Sequence, residues 1–325
     1  MPKPPRNPKP AQPPQTALSA RAWAELLLLA AIWGGSFLSI RVALDQVGVL
    51  TSVAFRVGGA ALVLWAYVAA RRLPVPRDPR LWAAFLGMGI LNNALPFTLI
   101  TWGEVHIASG LAAILNGATA IFGVLIAALV FSDERLGARR AVGVLLGFAG
   151  VATAVGLDTL RDFDLTSAAQ LAVLGAALSY GCAAAFARGV LRRLSPGLSP
   201  QVTAAGMLTG AALIMIPAAL ATEGTPSLHY DAATWAALAY LALAASAWAY
   251  LLYYRVLAMA GAGNVSLVTL LVSPVAIVLG WAVLGETLPP HALAGFALLA
   301  AGMVVLDGRA LRRIGRRPLP PTPNS

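Results

Sequence analysis

The chain has 325 residues, of which 59% are hydrophobic and only 11% are charged, and its mean hydropathy is +0.77. Soluble globular domains carry about 25% charged residues, so this composition excludes a water-soluble protein. A net charge of +10 would suggest a nucleic-acid partner only in a soluble domain. The composition instead predicts an all-α integral membrane protein, because apolar helices satisfy their own backbone hydrogen bonds inside a bilayer.

The N-terminal segment, residues 1–22, is predicted to be a disordered tail. Seven of its residues are proline, and Lys3, Arg6 and Lys9 add positive charge, a composition that cannot bury an apolar core. The apolar run that follows from Leu26 is too long for the apolar region of a signal peptide. We therefore expect an uncleaved first transmembrane helix.

Hydropathy and loop residues predict ten transmembrane helices, each of about 20 residues. A second tail, residues 308–325, follows the last of them. The ten predicted spans are residues 23–44, 50–70, 81–103, 107–131, 138–157, 167–188, 200–221, 232–255, 262–284 and 288–307.

The distribution of Lys and Arg predicts the orientation of these spans. If the N terminus is cytoplasmic, 20 of the 23 basic residues fall in cytoplasmic loops or tails, whereas Arg41 and Arg161 fall outside and Arg56 lies within a span. Cytoplasmic loops of membrane proteins carry such an excess of positive charge. We therefore expect a multi-pass protein of the inner (cell) membrane with both termini in the cytoplasm. The expected partners of the basic loops are anionic membrane lipids, and no nucleic acid is expected.

An internal repeat divides the ten spans into two sets of five. The residues from Glu134 to Val151 align with those from Glu286 to Met303, with six identities in eighteen positions. Because five is odd, the second set would cross the membrane in the opposite direction to the first. The predicted domains are therefore two inverted repeats, residues 23–157 and 158–307; the alternative is chance similarity between small apolar residues. Inverted repeats are typical of alternating access, with the substrate site near the bilayer midplane.

Polar and large aromatic residues near the span centres are the candidate substrate contacts, because such groups are costly in hydrocarbon. The structural alternative is a hydrogen bond between helices or packing within the bundle. Tyr250, Tyr253 and Tyr254 are instead interpreted as members of the aromatic belt at the membrane surface. Pro96 and Pro274 are candidate hinges, since proline removes a backbone donor and bends a helix. The candidate substrate-binding residues are Trp33, Asn92, Asn116, Tyr180, Trp248 and Ser273.

Ionisable residues lie toward the ends of the predicted spans. Arg56 is about a turn and a half inside its span, and no charge is expected at a span centre, where a proton relay usually needs one. The sequence therefore reveals no electrochemical coupling, and Glu25 and Glu104 are the remaining candidates for a proton carrier. Glu286 is interpreted as a carboxylate that offsets the positive end of a helix dipole.

The sequence contains no pattern for metal or nucleotide chemistry. His106, His229 and His291 lie in separate predicted outer loops without Cys or acidic partners at ligand spacing. A phosphate-binding loop, a hydrolase nucleophile motif and an acidic pair are all missing from the sequence. We therefore expect neither a metal nor another cofactor, and neither enzymatic activity nor ATP-driven transport.

Several motifs together carry a resemblance to a known family. Trp33–Phe37 reads WGGSF in the first predicted span, and Gly285–Leu288 reads GETL before the last. Asn92–Phe97 and Ser109–Asn116 are similar to segments of a permease subgroup. With the two sets of five spans, the chain resembles EamA-domain members of the drug/metabolite transporter superfamily. This resemblance implies secondary transport, commonly the export of amino acids or other small metabolites.

The predicted function is a secondary transporter of a small metabolite such as an amino acid, working by alternating access. Export is favoured over import only by the resemblance. Neutral polar groups and aromatic rings suit an amino acid, a nucleoside or an organic cation better than a multiply charged anion. The alternatives are a passive channel or lipid scramblase and, less favoured, an intramembrane enzyme. Assembly as a homodimer is left open.

Overall fold

The computed structural model describes residues 19–132, 137–155, 165–260 and 267–307. Within these ranges the regular elements are helices, and no strand occurs. The predicted tail 308–325, nearly all of the tail 1–22, Glu134 and Arg161 lie outside the described residues.

Ten apolar helices follow one another in the described part of the chain. They are α1 (Ala20–Ala43), α2 (Val49–Ala70), α3 (Pro79–His106), α4 (Ser109–Val130), α5 (Ala138–Val155), α6 (Thr166–Leu194), α7 (Pro200–Thr222), α8 (Ala232–Met259), α9 (Leu267–Leu284) and α10 (Pro290–Asp307).

The helices α1 to α8 are long and apolar enough to cross a membrane, by length and composition. The last two helices contribute shorter apolar stretches, Leu271–Leu284 and Pro290–Leu306. The predicted all-α membrane class is confirmed, whereas ten crossings and their orientation stay predictions.

Polar side chains cap the N-termini of several of these helices. Ser19 caps α1, and Asp78 caps α3 immediately before Pro79. Asp231 caps α8 by accepting a hydrogen bond from the backbone N–H of Thr234 at 2.7 Å. Such caps satisfy N–H groups that have no partner inside the helix. The same backbone hydrogen bond lowers the pKa of the exposed Asp231 carboxyl.

Three helices contain π-helical turns, which are frequent at functional sites. In the described residues these turns are Ile90–Ala94 in α3, Ala187–Leu191 in α6 and Tyr240–Trp248 in α8. The Ser179 hydroxyl of α6 donates a hydrogen bond at 2.7 Å to the Leu91 carbonyl, inside the first of these turns. The irregular backbone is thus satisfied by a neighbouring helix.

Two predicted site residues lie beside helix irregularities. Pro96 is buried and follows the π-helical turn of α3 at the start of the next regular segment, where a missing N–H is tolerated. A helical segment of α4 ends at Asn116 and the next begins at Thr119, whose hydroxyl donates to the Asn116 carbonyl at 2.7 Å. Pro274 lies inside α9 and is exposed.

The main contacts pair helices from the first and second halves of the chain. These pairs are α2 with α7, α5 with α10, α3 with α6, α3 with α7, α1 with α8, α4 with α6 and α1 with α9. The contact of α5 with α10 depends on glycine, because a Cβ at Gly150 would lie 2.5 Å from the Leu299 nitrogen. The remaining eight helices surround a cavity.

Candidate substrate site

A cavity of about 540 Å³ lies between the helices α1 to α4 and α6 to α9. Its lining residues Tyr253 and Leu257 flank Arg255 on α8. The Arg255 guanidinium contacts Glu25, near the start of α1, at 2.5 Å. The cavity therefore extends toward the end of the bundle where α1 begins. Cavities of this size accommodate small organic molecules.

Four of the six predicted substrate contacts line this cavity, namely Trp33, Asn92, Asn116 and Tyr180. Trp248 lies elsewhere, with 48% of its surface exposed. Ser273 is 1% exposed and donates a hydrogen bond at 3.0 Å to a backbone carbonyl of α4, so it joins two helices. The structure thus brings four of the predicted residues together and leaves Trp248 and Ser273 outside the cavity lining.

A tyrosine of α8 connects the polar residues of the cavity wall. The Tyr250 hydroxyl accepts hydrogen bonds from the amides of Asn92 at 3.0 Å and Asn93 at 2.8 Å. Tyr253 and Tyr254 also line the cavity. The expectation that these tyrosines form an interfacial belt is therefore wrong. Tyr250 is the second residue of the regular helix that follows the π-helical turn, and sequence hydropathy does not reveal that turn.

Trp33 holds α1 against α8 at the cavity wall. Its indole N–H donates to the Ala245 carbonyl at 3.2 Å, and its ring lies 5.8 Å from that of Tyr253. A second contact of these helices is the hydrogen bond from the Tyr240 hydroxyl to the Ile32 carbonyl at 2.9 Å. The indole is therefore held in one orientation while one side of it faces the cavity.

Arg56 supplies a positive charge to the cavity wall and is only 7% exposed. Its Nε donates to the Ser246 hydroxyl at 3.0 Å, and its guanidinium lies 3.7 Å from the centroid of the Phe97 ring. The ion pairs between described residues do not include Arg56. Sequence reasoning missed this residue as a site group. The available signal was that Arg56 is the only charged residue of α2.

Polar contacts close the end of the bundle where α1 ends. Glu223, after α7, accepts hydrogen bonds from the N–H groups of Leu50 and Thr51 at 2.9 and 2.8 Å and so caps α2. Gln46 and Asp231 exchange two hydrogen bonds, of 2.8 and 3.0 Å. These contacts join residues from the first and second halves of the chain.

Two further contacts lie at the same end. Glu286, before α10, accepts hydrogen bonds from the Ser109 N–H at 3.1 Å and its hydroxyl at 2.7 Å. It therefore caps α4, not the helix that it precedes in sequence. Arg41 at the end of α1 donates to the Glu104 backbone carbonyl at 2.6 Å. The Glu104 carboxylate itself is fully buried.

The EamA-like transporter family matches residues 22–156 and 167–306, so the chain contains two copies of the family domain. A relative from Streptantibioticus cattleyicolor, named "Probable terminal-alkyne amino-acid exporter", is 33% identical over 91% of this chain and 96% of its own length. A relative from Salmonella typhimurium, named "Probable amino-acid metabolite efflux pump", is 28% identical over 89% of this chain and 96% of its own length.

A solved structure has a similar fold. It is titled "Crystal structure of protein", has a TM-score of 0.61 and 20% sequence identity, and covers 90% of this chain and 99% of its own. The apolar helices and the family match together make this protein a multi-pass membrane protein of a transporter family. The chain therefore belongs to the EamA-like transporter family.

Proposed function

We propose that this protein is a secondary transporter of the inner membrane that exports an amino acid or a related small carboxylate by alternating access. The single observation that carries the proposal is Arg56, a buried cation in the cavity wall with no ion pair among the described residues. Buried charges in membrane proteins are costly and mark substrate pathways. The names of the two relatives, which mention amino acids, support the same substrate class.

The proposed recognition assigns each part of the substrate to a part of the cavity. Arg56 binds the carboxylate, because a guanidinium donates two parallel hydrogen bonds to it. Asn116 lines the cavity, and its Oδ1 has no hydrogen-bond partner among the described residues, so it can accept from the substrate ammonium. Trp33 and Tyr180 form an aromatic wall for the substrate side chain. Asn92 acts with Tyr250, which it contacts.

The proposed mechanism is an exchange of conformation between two inverted repeats. Supporting it, contacts between the two halves recur at equivalent positions: α1 with α9 matches α6 with α4, and α3 with α7 matches α8 with α2. The pairs α2 with α7 and α5 with α10 each join equivalent helices. The polar contacts of Glu223, Glu286 and Gln46 close one end of the bundle, while the cavity extends toward the other. Transport then requires these contacts to break as the Arg255 end closes. Pro96 is the proposed hinge in α3, and Pro274 a second hinge in α9.

The test is substrate counterflow in proteoliposomes that contain the purified protein. Vesicles loaded with an unlabelled amino acid are expected to take up the labelled one saturably. The corresponding amine without a carboxylate is not expected to compete. A channel or scramblase would give flux without saturation or counterflow, which would contradict the proposal. Equal competition by the amine would contradict the role of Arg56.

A further inference from the structure

We infer that the Tyr250 hydroxyl donates a hydrogen bond to the substrate carboxylate beside Arg56. The inference depends on the proposed function, because it adds a second group that binds the same carboxylate. It starts from two observations. Tyr250 lines the cavity, and its hydroxyl oxygen already accepts hydrogen bonds from the amides of Asn92 at 3.0 Å and Asn93 at 2.8 Å.

The two asparagine amides leave the hydrogen of the Tyr250 hydroxyl unused. A hydroxyl oxygen accepts two hydrogen bonds and donates one, so both acceptor positions are occupied. The hydrogen does not go to the asparagines, because the amide nitrogen of each faces the hydroxyl, and Asn93 Oδ1 has no hydrogen-bond partner among the described residues. No other described residue accepts from this hydroxyl. The hydrogen is therefore available to a molecule in the cavity.

Contacts on α3 and α8 place the Tyr250 hydroxyl close to Arg56. Ser246, whose hydroxyl accepts from Arg56 Nε at 3.0 Å, lies one turn before Tyr250 on α8. Phe97, whose ring centroid lies 3.7 Å from the guanidinium, lies one turn after Asn93 on α3. Residues one turn apart share a helix face and lie about 6 Å apart. Arg56 and the Tyr250 hydroxyl are therefore neighbours in the cavity wall, which both residues line.

A carboxylate can bind Arg56 and Tyr250 at the same time. The terminal nitrogens of Arg56 have no hydrogen-bond partner among the described residues, since only its Nε binds Ser246. Each carboxylate oxygen has two acceptor positions, so the carboxylate keeps its bonds from the guanidinium while one oxygen also accepts from the Tyr250 hydroxyl. Hydrogen bonds to a charged acceptor are about twice as strong as those between neutral groups. The hydroxyl thus contributes both affinity and orientation.

The experiment removes the hydroxyl and measures substrate affinity by isothermal titration in detergent. The probe is the standard amino acid that gives the fastest counterflow with the wild-type protein. We expect Tyr250→Phe to raise the Kd of this amino acid about tenfold, because one charge-assisted hydrogen bond is lost. An unchanged Kd in the folded variant would overturn the inference.

The matched control is Tyr240→Phe, which removes a hydroxyl from the same helix. The Tyr240 hydroxyl donates to the Ile32 backbone carbonyl at 2.9 Å, and Tyr240 is not among the residues that line the cavity. We expect this variant to keep the wild-type Kd and to have a lower Tm. A loss of affinity equal to that of Tyr250→Phe would mean that looser helix packing causes the effect, and would overturn the inference.

A ring-fluorinated tyrosine in place of Tyr250 keeps both asparagine contacts and covers the case in which Tyr250→Phe does not fold. Fluorination makes the hydroxyl more acidic, so it becomes a stronger hydrogen-bond donor and a weaker acceptor. We expect the Kd to fall about two- to threefold, because a stronger donor binds the carboxylate more tightly. An unchanged or higher Kd would mean that the hydroxyl serves only as an acceptor for the asparagines, and would overturn the inference.

These measurements separate this inference from the proposed function. If the wild-type protein shows no counterflow with any standard amino acid, the proposed function is contradicted. If the wild-type protein gives saturable counterflow but neither change at Tyr250 alters the Kd, only the role of this hydroxyl is wrong.

Discussion

Arg56 combines burial, a fixed orientation and the absence of an ion pair with any described residue, the features that a carboxylate-binding group needs. Its orientation comes from the Ser246 hydroxyl and the Phe97 ring, which lie on α8 and α3. A guanidinium held in this way loses little conformational entropy when it binds a planar carboxylate. In the proposed site this residue therefore provides both attraction and orientation for a substrate carboxylate.

Replacing Arg56 tests charge and geometry separately. Hydrogen bonds to charged groups contribute about 1.5–3 kcal/mol, so Arg56→Gln should raise the substrate Kd about 10- to 100-fold. Arg56→Lys keeps the charge but loses the planar contact with Phe97, and an intermediate increase is expected. Isothermal titration in detergent measures both values. The control is Arg71→Gln, an exposed residue just beyond α2; an equal loss in that variant would contradict the assignment.

The two candidate tryptophans allow a matched comparison. Trp33 lines the cavity, whereas Trp248 is 48% exposed and lies outside the cavity lining. Trp33→Ala should abolish counterflow while the protein still inserts into the membrane, because the aromatic wall is lost. Trp248→Ala should retain counterflow. Similar flux in both variants, measured at equal protein content, would remove Trp33 from the site.

At the scale of elements, the interrupted helices α3, α4 and α8 carry Asn92, Asn116 and Tyr250. The continuous helices α1 and α2 carry Trp33 and Arg56. The π-helical turns of α3 and α8 precede Pro96 and Tyr250 and change the direction in which the following side chains point. In contrast, α5 and α10 pack through small residues and contribute no side chain to the cavity lining. We therefore expect stability and transport to depend on different helices.

Two glycines give a direct test of this division. A Cβ at Gly150 would lie 2.5 Å from the Leu299 backbone nitrogen, so Gly150→Ala must shift α5 or α10 and should cost about 1–3 kcal/mol. At Gly123 of α4 a Cβ would meet nothing within 4 Å. Gly123→Ala should therefore stabilise its helix by about 0.5–1 kcal/mol. Thermal unfolding in detergent measures both, and equal Tm changes would contradict this interpretation.

At the scale of the whole molecule, the two halves of the chain meet through polar contacts at the end where α1 finishes. Gln46 and Asp231 exchange hydrogen bonds there, and Glu223 and Glu286 cap helices of the first half. Surface contacts of this kind are individually weak, so they can separate during a transport cycle. Closure by several weak contacts is consistent with the proposed alternating access, in which this end reopens.

A reversible cross-link tests whether this end must open. In a Cys182→Ser background, which removes the single native cysteine, Gln46→Cys and Asp231→Cys are joined by a short bifunctional thiol reagent. We expect the cross-linked protein to lose counterflow and to regain it after reduction. The two single variants treated with the same reagent are the controls. Full flux through completely cross-linked protein would contradict alternating access at this end.

The sequence determined the class of this protein and the position of its apolar helices, because burial of about 20 apolar residues in a bilayer is a local property. It also predicted Trp33, Asn92, Asn116 and Tyr180, since polar or aromatic groups inside an apolar run are costly. Only the tertiary structure decided that Arg56 and Tyr250 join them while Trp248 and Ser273 do not. In a membrane the lipid-facing and buried faces of a helix are equally apolar, so hydropathy does not reveal which face a residue occupies. That choice depends on helix packing and on the π-helical turns.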